Sequence, residues 1–202
     1  DGTGNDIDIQ NTSSTLNANW TGFSDALSGI ASYDWAIGTS SGGTEILDWT
    51  NAGNTTSANK SNLSLINDQT YYISVRVIDK AGNTSTVATS DGVKTDFSSP
   101  SAPTDFVATS NDGSITLKWT KNSESDIANY KIYRSTQAGF SLSSDSLIYS
   151  ASATETQYVD QQVVYGVTHY YKMTATDLAG NEGTASSEVN GRSIDTTPPT
   201  VS

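Results

Sequence analysis

The sequence holds one histidine, His169, and no cysteine. A serine-type hydrolytic triad would need that histidine beside an exposed serine and an aspartate. Its position argues for packing instead, because it falls on the inward phase of an alternating stretch with Tyr171, Met173 and Ala175. The lack of cysteine removes thiolate chemistry, Cys/His zinc sites and disulfide frameworks. Paired carboxylates could hydrolyse glycosides. The glutamates are Glu45, Glu124, Glu155, Glu182 and Glu188, all in expected loops or strand edges. Nothing there supplies the burial that lifts one carboxyl pKa above another. No catalytic residue and no cofactor is expected.

Two kinds of binding chemistry remain. Trp49, in Ile46-Leu47-Asp48-Trp49, with Tyr133 and Tyr149, could form an aromatic platform for a sugar. The competing role for aromatic residues on strands is packing. Calcium could be held near module junctions, where Asp91, Asp96 and Asp195 lie in sequence with the Asp-x-Ala-Gly-Asn turns. Calcium takes several converging oxygens, and no spacing here selects them. Asp6-Ile7-Asp8 reads as a strand, and no metal ligand is assigned. No Arg-Gly-Asp tripeptide occurs.

Composition narrows the partners. The chain has 202 residues, 34% hydrophobic and 16% charged, with a net charge of −12. Such a surface repels phosphate backbones and anionic lipid, so nucleic acid and membrane are poor partners. No stretch approaches the roughly 20 apolar residues of a membrane span. The ends, Asp1-Gly2-Thr3-Gly4 and Thr197-Pro198-Pro199-Thr200, read as cuts within a longer chain.

The elements that would position these residues repeat after about one hundred residues, which means whole domains in tandem. Asp79-Lys80-Ala81-Gly82-Asn83 recurs as Asp177-Leu178-Ala179-Gly180-Asn181. Trp20 recurs as Trp119, and Ala31-Ser32-Tyr33 as Ala128-Asn129-Tyr130. Asp91-Gly92, then Asp96 and Pro100, recurs as Asn190-Gly191, then Asp195 and Pro199. Each module is therefore expected to leave through a glycine turn. Ser98-Ser99-Pro100-Ser101-Ala102-Pro103 marks the internal boundary.

Within each repeat the period is two. Leu16, Ala18 and Trp20 share a face, as do Ile115, Leu117 and Trp119. Tyr71, Ile73, Val75 and Val77 line another strand, and Tyr33, Trp35 and Ile37 match Tyr130 and Ile132. No segment shows a helical period. Short strands separated by turn residues argue for β-sandwiches.

Together these residues resemble fibronectin type III domains. The second module carries the closer likeness, in Trp119, Ser125-Asp126-Ile127-Ala128-Asn129-Tyr130-Lys131-Ile132-Tyr133-Arg134 and Tyr170-Tyr171-Lys172-Met173-Thr174-Ala175-Thr176-Asp177. The first resembles a divergent relative, through Trp20-Thr21-Gly22-Phe23-Ser24-Asp25, Ser28-Gly29-Ile30 and Tyr33-Asp34-Trp35-Ala36-Ile37-Gly38. Leu65 and Tyr71 resemble the family's tyrosine corner, whereas the matching pair is Val163 and His169. The second corner thus departs from the pattern.

The resemblance implies an all-β chain of two tandem seven-stranded sandwiches, over 1–97 and 98–197, with 198–202 starting a further linker. The structural residues it implies are Trp20, Tyr33, Tyr71, Trp119, Tyr130, His169 and Tyr171. It further implies monomeric, non-catalytic spacer modules, laid end to end in a larger bacterial protein that is secreted or on the cell surface. Their partners would be neighbouring domains of the same polypeptide. The alternative is an accessory module that binds a glycan or a surface protein, within a polysaccharide-degrading enzyme or an adhesin.

Overall fold

A computed structural model of the protein describes residues 6–199. The chain divides between Ser98 and Ser99 into two compact units. Among the described residues every regular element is a strand except one 3-10 turn at Ser144–Ser146.

The first unit holds β1 (Ile9–Gln10), β2 (Leu16–Asn19), β3 (Ile30–Gly38), β4 (Leu47–Gly53), β5 (Ser57–Lys60), β6 (Thr70–Asp79), β7 (Ala88–Thr89) and β8 (Val93–Thr95). One sheet runs β1-β8-β6-β3-β4, with β7 also on β6, and β2-β5 form the facing sheet. The inward residues are those of the alternating pattern: Leu16 and Ala18 from β2, Tyr33, Trp35 and Ile37 from β3, and Tyr71, Ile73 and Val75 from β6. Burying each large side chain contributes about 2 kcal/mol by removing apolar surface from water.

The second unit holds β9 (Thr104–Asn111), β10 (Ser114–Thr120), β11 (Ile127–Ser135), β12 (Leu147–Ser152), β13 (Gln157–Asp160), β14 (Thr168–Asp177) and β15 (Val189–Arg192). Its sheets run β12-β11-β14-β15 and β13-β10-β9. Ile115, Leu117 and Trp119 face Tyr130, Ile132, Tyr171, Met173 and Ala175 across the core.

The two units solve their edges differently. β9 pairs antiparallel with β10, whereas β1 pairs parallel with β8 in the opposite sheet. The first unit also has eight strand segments rather than the expected seven. Its last strand breaks into β7 and β8 around Gly92, whose φ of 106° a side chain rarely adopts. A Cβ there would come within 2.7 Å of Thr70 Cγ2.

The expected matching glycine turn does not occur in the second unit. Gly191 lies inside β15, opposite His169, where the first unit sets Val93 opposite Tyr71. Its glycine instead sits close to a neighbour: a Cβ there would lie 3.0 Å from Ile115 Cγ2 and crowd it. The sequence repeat is thus displaced by one residue from the structural one. A second expectation also fails, since Asp6-Ile7-Asp8 precedes β1 rather than forming it.

Each unit owns an aromatic-centred core, so each is expected to fold alone. Residues 1–98 and 99–202, expressed apart, should each unfold cooperatively with a dispersed amide spectrum. Failure of either fragment to fold alone would contradict the reading of two independent domains.

Candidate functional site

Most of the groups that could do chemistry are engaged in hydrogen bonds and packing within the sandwiches. The corner before β6 follows the tyrosine pattern: the Ile66 N–H donates to the Tyr71 hydroxyl at 2.8 Å. Leu65 is buried beneath it, and the Thr95 hydroxyl bonds the Ile66 and Gln69 carbonyls. In the second unit the residue in the place of Tyr71 is His169, 3% exposed, with Nδ1 3.1 Å from the carbonyl of Val167, just before its strand.

That corner is closed by other residues. Arg134 Nη1 donates to both oxygens of Asp160, at 3.0 and 2.8 Å, and to the Gln162 carbonyl at 2.8 Å. The Tyr171 hydroxyl donates to Asp160 at 2.9 Å, and the Gln162 N–H to the same carboxylate at 3.0 Å. Asp160 is 1% exposed, and the donors Arg134, Tyr171 and Gln162 compensate the hydration its carboxylate loses. Burial, then the charge of Asp160, pushes the Tyr171 phenol far above its usual range. Arg134 and Tyr171 are paired across β11 and β14 where the first unit pairs Ile37 with Ile73. Sequence reading missed this cluster, although an arginine in phase with Tyr130 and Ile132 was its visible signal.

The glutamates accept hydrogen bonds that fasten loops to strands. Glu45 accepts from the Thr39 N–H at 3.0 Å, and Glu188 from the Gly139 N–H at 3.0 Å. Glu155 accepts from the Ser152 N–H and the Tyr149 hydroxyl, at 2.6 and 2.8 Å. Glu182 gathers Thr174, Tyr133 and Lys131. Among the described residues the carboxyls that depart from their ordinary pKa all move down: Asp25, Asp79, Asp112, Glu124, Glu155 and Glu182. A glycosidic general acid requires a carboxyl moved up.

The aromatic candidates are also occupied. The Arg76 guanidinium lies 4.4 Å from the centre of the Trp49 ring, held there by Asp34 at 3.0 Å. Tyr149 stacks on Tyr158, with ring centres 4.2 Å apart and planes 14° apart. Tyr133 is 6% exposed, which removes it as a platform.

The expected carboxylates near the junctions serve mainly as local turn acceptors. Asp96 accepts from the Ser98 N–H and Asp195 from the Thr197 N–H, both at 2.9 Å. Asp79 and Asp177 bond back to the N–H of Asn83 and Asn181, both at 2.8 Å, in matching hairpin turns. Asp91 instead meets Asp6 and Asp8: one carboxylate oxygen from each lies within 4.8 Å of the others, all three side chains exposed. Three oxygens are about half the set that calcium takes.

One carboxylate stands out by its setting. Glu124, in the loop between β10 and β11, accepts from the Ser101 hydroxyl at 2.6 Å and the Ser101 N–H at 2.8 Å. Those bonds, the hydroxyl's first, lower its pKa to about 2. Asn122 donates to the Ser101 carbonyl at 2.8 Å, and its own N–H donates to the Tyr130 hydroxyl at 2.8 Å. The segment entering the second unit is thus tied by one serine to the β10–β11 loop.

Comparison with known proteins agrees with this architecture. The chain superimposes on the first three fibronectin type III domains of chicken contactin-1 with a TM-score of 0.57, at 15% identity, covering 91% of this chain and 65% of that one. On the A168–A170 domains of titin the TM-score is 0.56, at 16% identity, covering 94% and 62%. The fold is that of tandem fibronectin type III modules.

In sequence, the chain is 28% identical over 198 residues to exoglucanase B of Cellulomonas fimi, covering 90% of this chain and 16% of that protein. It is 31% identical over 93 residues to an amylopullulanase of Thermoanaerobacterium thermosulfurigenes, covering 46% of this chain and 5% of that protein. The chain therefore spans a small part of the curated relatives it matches. No family model matches the chain.

Two measurements check the corners. Tyr71→Phe is expected to destabilise the first unit by about 1 kcal/mol, the value of one net hydrogen bond. Arg134→Met should cost the second unit about 3 kcal/mol, because it leaves Asp160 buried without its counter-charge. Urea unfolding of the full chain would show which transition moves, and an Arg134→Met loss below that of Tyr71→Phe would refute the assignment.

Glu124 gives a pH test. Its folded pKa is depressed, so its stabilisation is present above its unfolded value and is lost as pH falls through the folded one. The stability gap between the native chain and Glu124→Gln should therefore close between about pH 4.5 and pH 2. A gap unchanged across that window would show that the Ser101 contact carries no linkage.

Proposed function

We propose that the chain is a pair of non-catalytic accessory modules that position other domains of a larger, extracellular enzyme acting on polysaccharide. The observation that carries this reading is the likeness along 198 residues to an exoglucanase of which the chain would make up only 16%. Partial likeness to amylopullulanases points to the same setting on a different glucan.

Between holding domains apart and binding glycan, the side chains favour the first. A sugar ring stacks on a bare aromatic face. The face of Trp49 carries the Arg76 guanidinium, the Tyr149 ring lies against Tyr158, and Tyr133 is buried. A sugar stacking on that face of Trp49 would displace Arg76 and forfeit a cation–π contact of about 0.5–1 kcal/mol.

Sedimentation with insoluble cellulose and starch tests the choice. The chain is expected to stay in the supernatant with both polymers, as should Trp49→Ala and Tyr149→Ala. Retention on either polymer that one of these substitutions abolishes would replace the spacer reading with a glycan-binding one.

A further inference from the structure

A cavity of about 400 Å³ lies in the first unit, at the edge of the sandwich between β2 and β7. Its floor is apolar, formed by Ala18, Trp20, Phe23, Ile73, Val75 and Ala88. Trp20, Ile73 and Val75 belong to the buried core, so the cavity opens directly onto it. Val75 and Ala88 are cross-strand partners on β6 and β7 and therefore share a face.

The second unit shows what this place can hold. There β9 pairs with β10 and sends Phe106 into the core that contains Leu117 and Trp119. Those two residues correspond to Ala18 and Trp20. In the first unit β1 pairs with β8 in the facing sheet, and the space beside Ala18 and Trp20 is cavity. Alanine in place of leucine widens it further. Residues 1–5, Asp-Gly-Thr-Gly-Asn, carry no large apolar side chain to match Phe106.

The rim is acidic. Asp6 and Asp91 line the cavity, and one carboxylate oxygen of each lies within 4.8 Å of one from Asp8. The described residues of the lining include no lysine, arginine or histidine. An apolar slot below like charges suits a cation carried on an apolar body. A second copy of this chain, with its net charge of −12, is repelled by the same rim.

We propose that this cavity is a docking site for a basic peptide segment of a partner polypeptide, with one aromatic side chain in the slot and flanking lysines or arginines against Asp6, Asp8 and Asp91. The aromatic ring takes the part that Phe106 plays in the second unit. The charges steer its approach and select the partner. This inference is independent of the spacer reading, because it concerns peptide rather than glycan.

The probe is the tripeptide Lys-Phe-Lys, acetylated and amidated. It is titrated into the full chain to about 10 mM at constant ionic strength, a range that reaches weak sites. Nitrogen–proton correlation spectra should show saturable shifts at the Gly22, Thr89 and Ser90 amides, with Val107 and Lys118 of the second unit unmoved. The peptide Glu-Phe-Glu should move none of them. Lys-Ala-Lys should bind at least about tenfold more weakly, since the ring supplies the buried area. Asp91→Asn should weaken binding about two- to fivefold, as loss of one exposed ion pair does. Ala88→Leu fills the slot from an exposed strand position and keeps the rim charges, so it should weaken binding at least about tenfold. Shifts of the same amides on concentrating the chain without peptide would identify a second copy as the occupant. That result, unmoved amides, an equal response to Glu-Phe-Glu, or undiminished binding in a folded Ala88→Leu chain would each overturn the proposal.

Discussion

Each module is held closed by a tryptophan from one sheet laid against a tyrosine from the other. Trp20 meets Tyr33 with ring centres 5.7 Å apart, and Trp119 meets Tyr130 at 5.8 Å. Tilts of 48° and 59° avoid the face-to-face arrangement that aromatic quadrupoles disfavour. The contact sets the spacing between the sheets, and with it the depth available to every other inward residue. Both indole N–H groups are buried without a protein acceptor, in the same place in each repeat.

Once the sheets are pinned, the corner before the sixth strand position must be tied down, and the modules do this with different chemistry. The first uses a neutral hydroxyl and a backbone donor. The second uses a buried ion pair that also captures Tyr171 and the Gln162 backbone. The neutral corner is insensitive to charge. The ionic one gains more bonds per side chain but becomes a point where loss of either partner strands a charge. Replacing Ile37 and Ile73 by Arg134 and Tyr171 is consistent only because Asp160 arrives on β13 at the same level.

This economy of side chains bears on function. Groups that might serve a ligand are consumed in fastening loops to strands: Glu182 gathers three side chains, Arg76 caps Trp49, and Glu155 fixes the Tyr149–Tyr158 stack. A module built this way presents a firm surface with few idle reactive groups. That suits the accessory role suggested by its likeness to small parts of large polysaccharide hydrolases.

The sequence alone determined the all-β class, the tandem repeat and most inward residues. Period-two alternation follows directly from strand geometry, and a tryptophan or tyrosine in phase with it has few places to go. It also determined the Asp-x-Ala-Gly-Asn turns, because their bonds span only four residues. Only the tertiary structure decided what depends on partners distant in sequence. Gly92 and Gly191 look equivalent in sequence, yet one breaks a strand and the other makes room for Ile115. Arg134 reads as a charged residue at a strand end until Asp160 and Tyr171 close around it. Asp6 and Asp8 alternate as a strand would, yet they meet Asp91 because the chain there runs beside β8. In each case the outcome is set by which strand becomes the neighbour, and local pattern carries no record of that pairing.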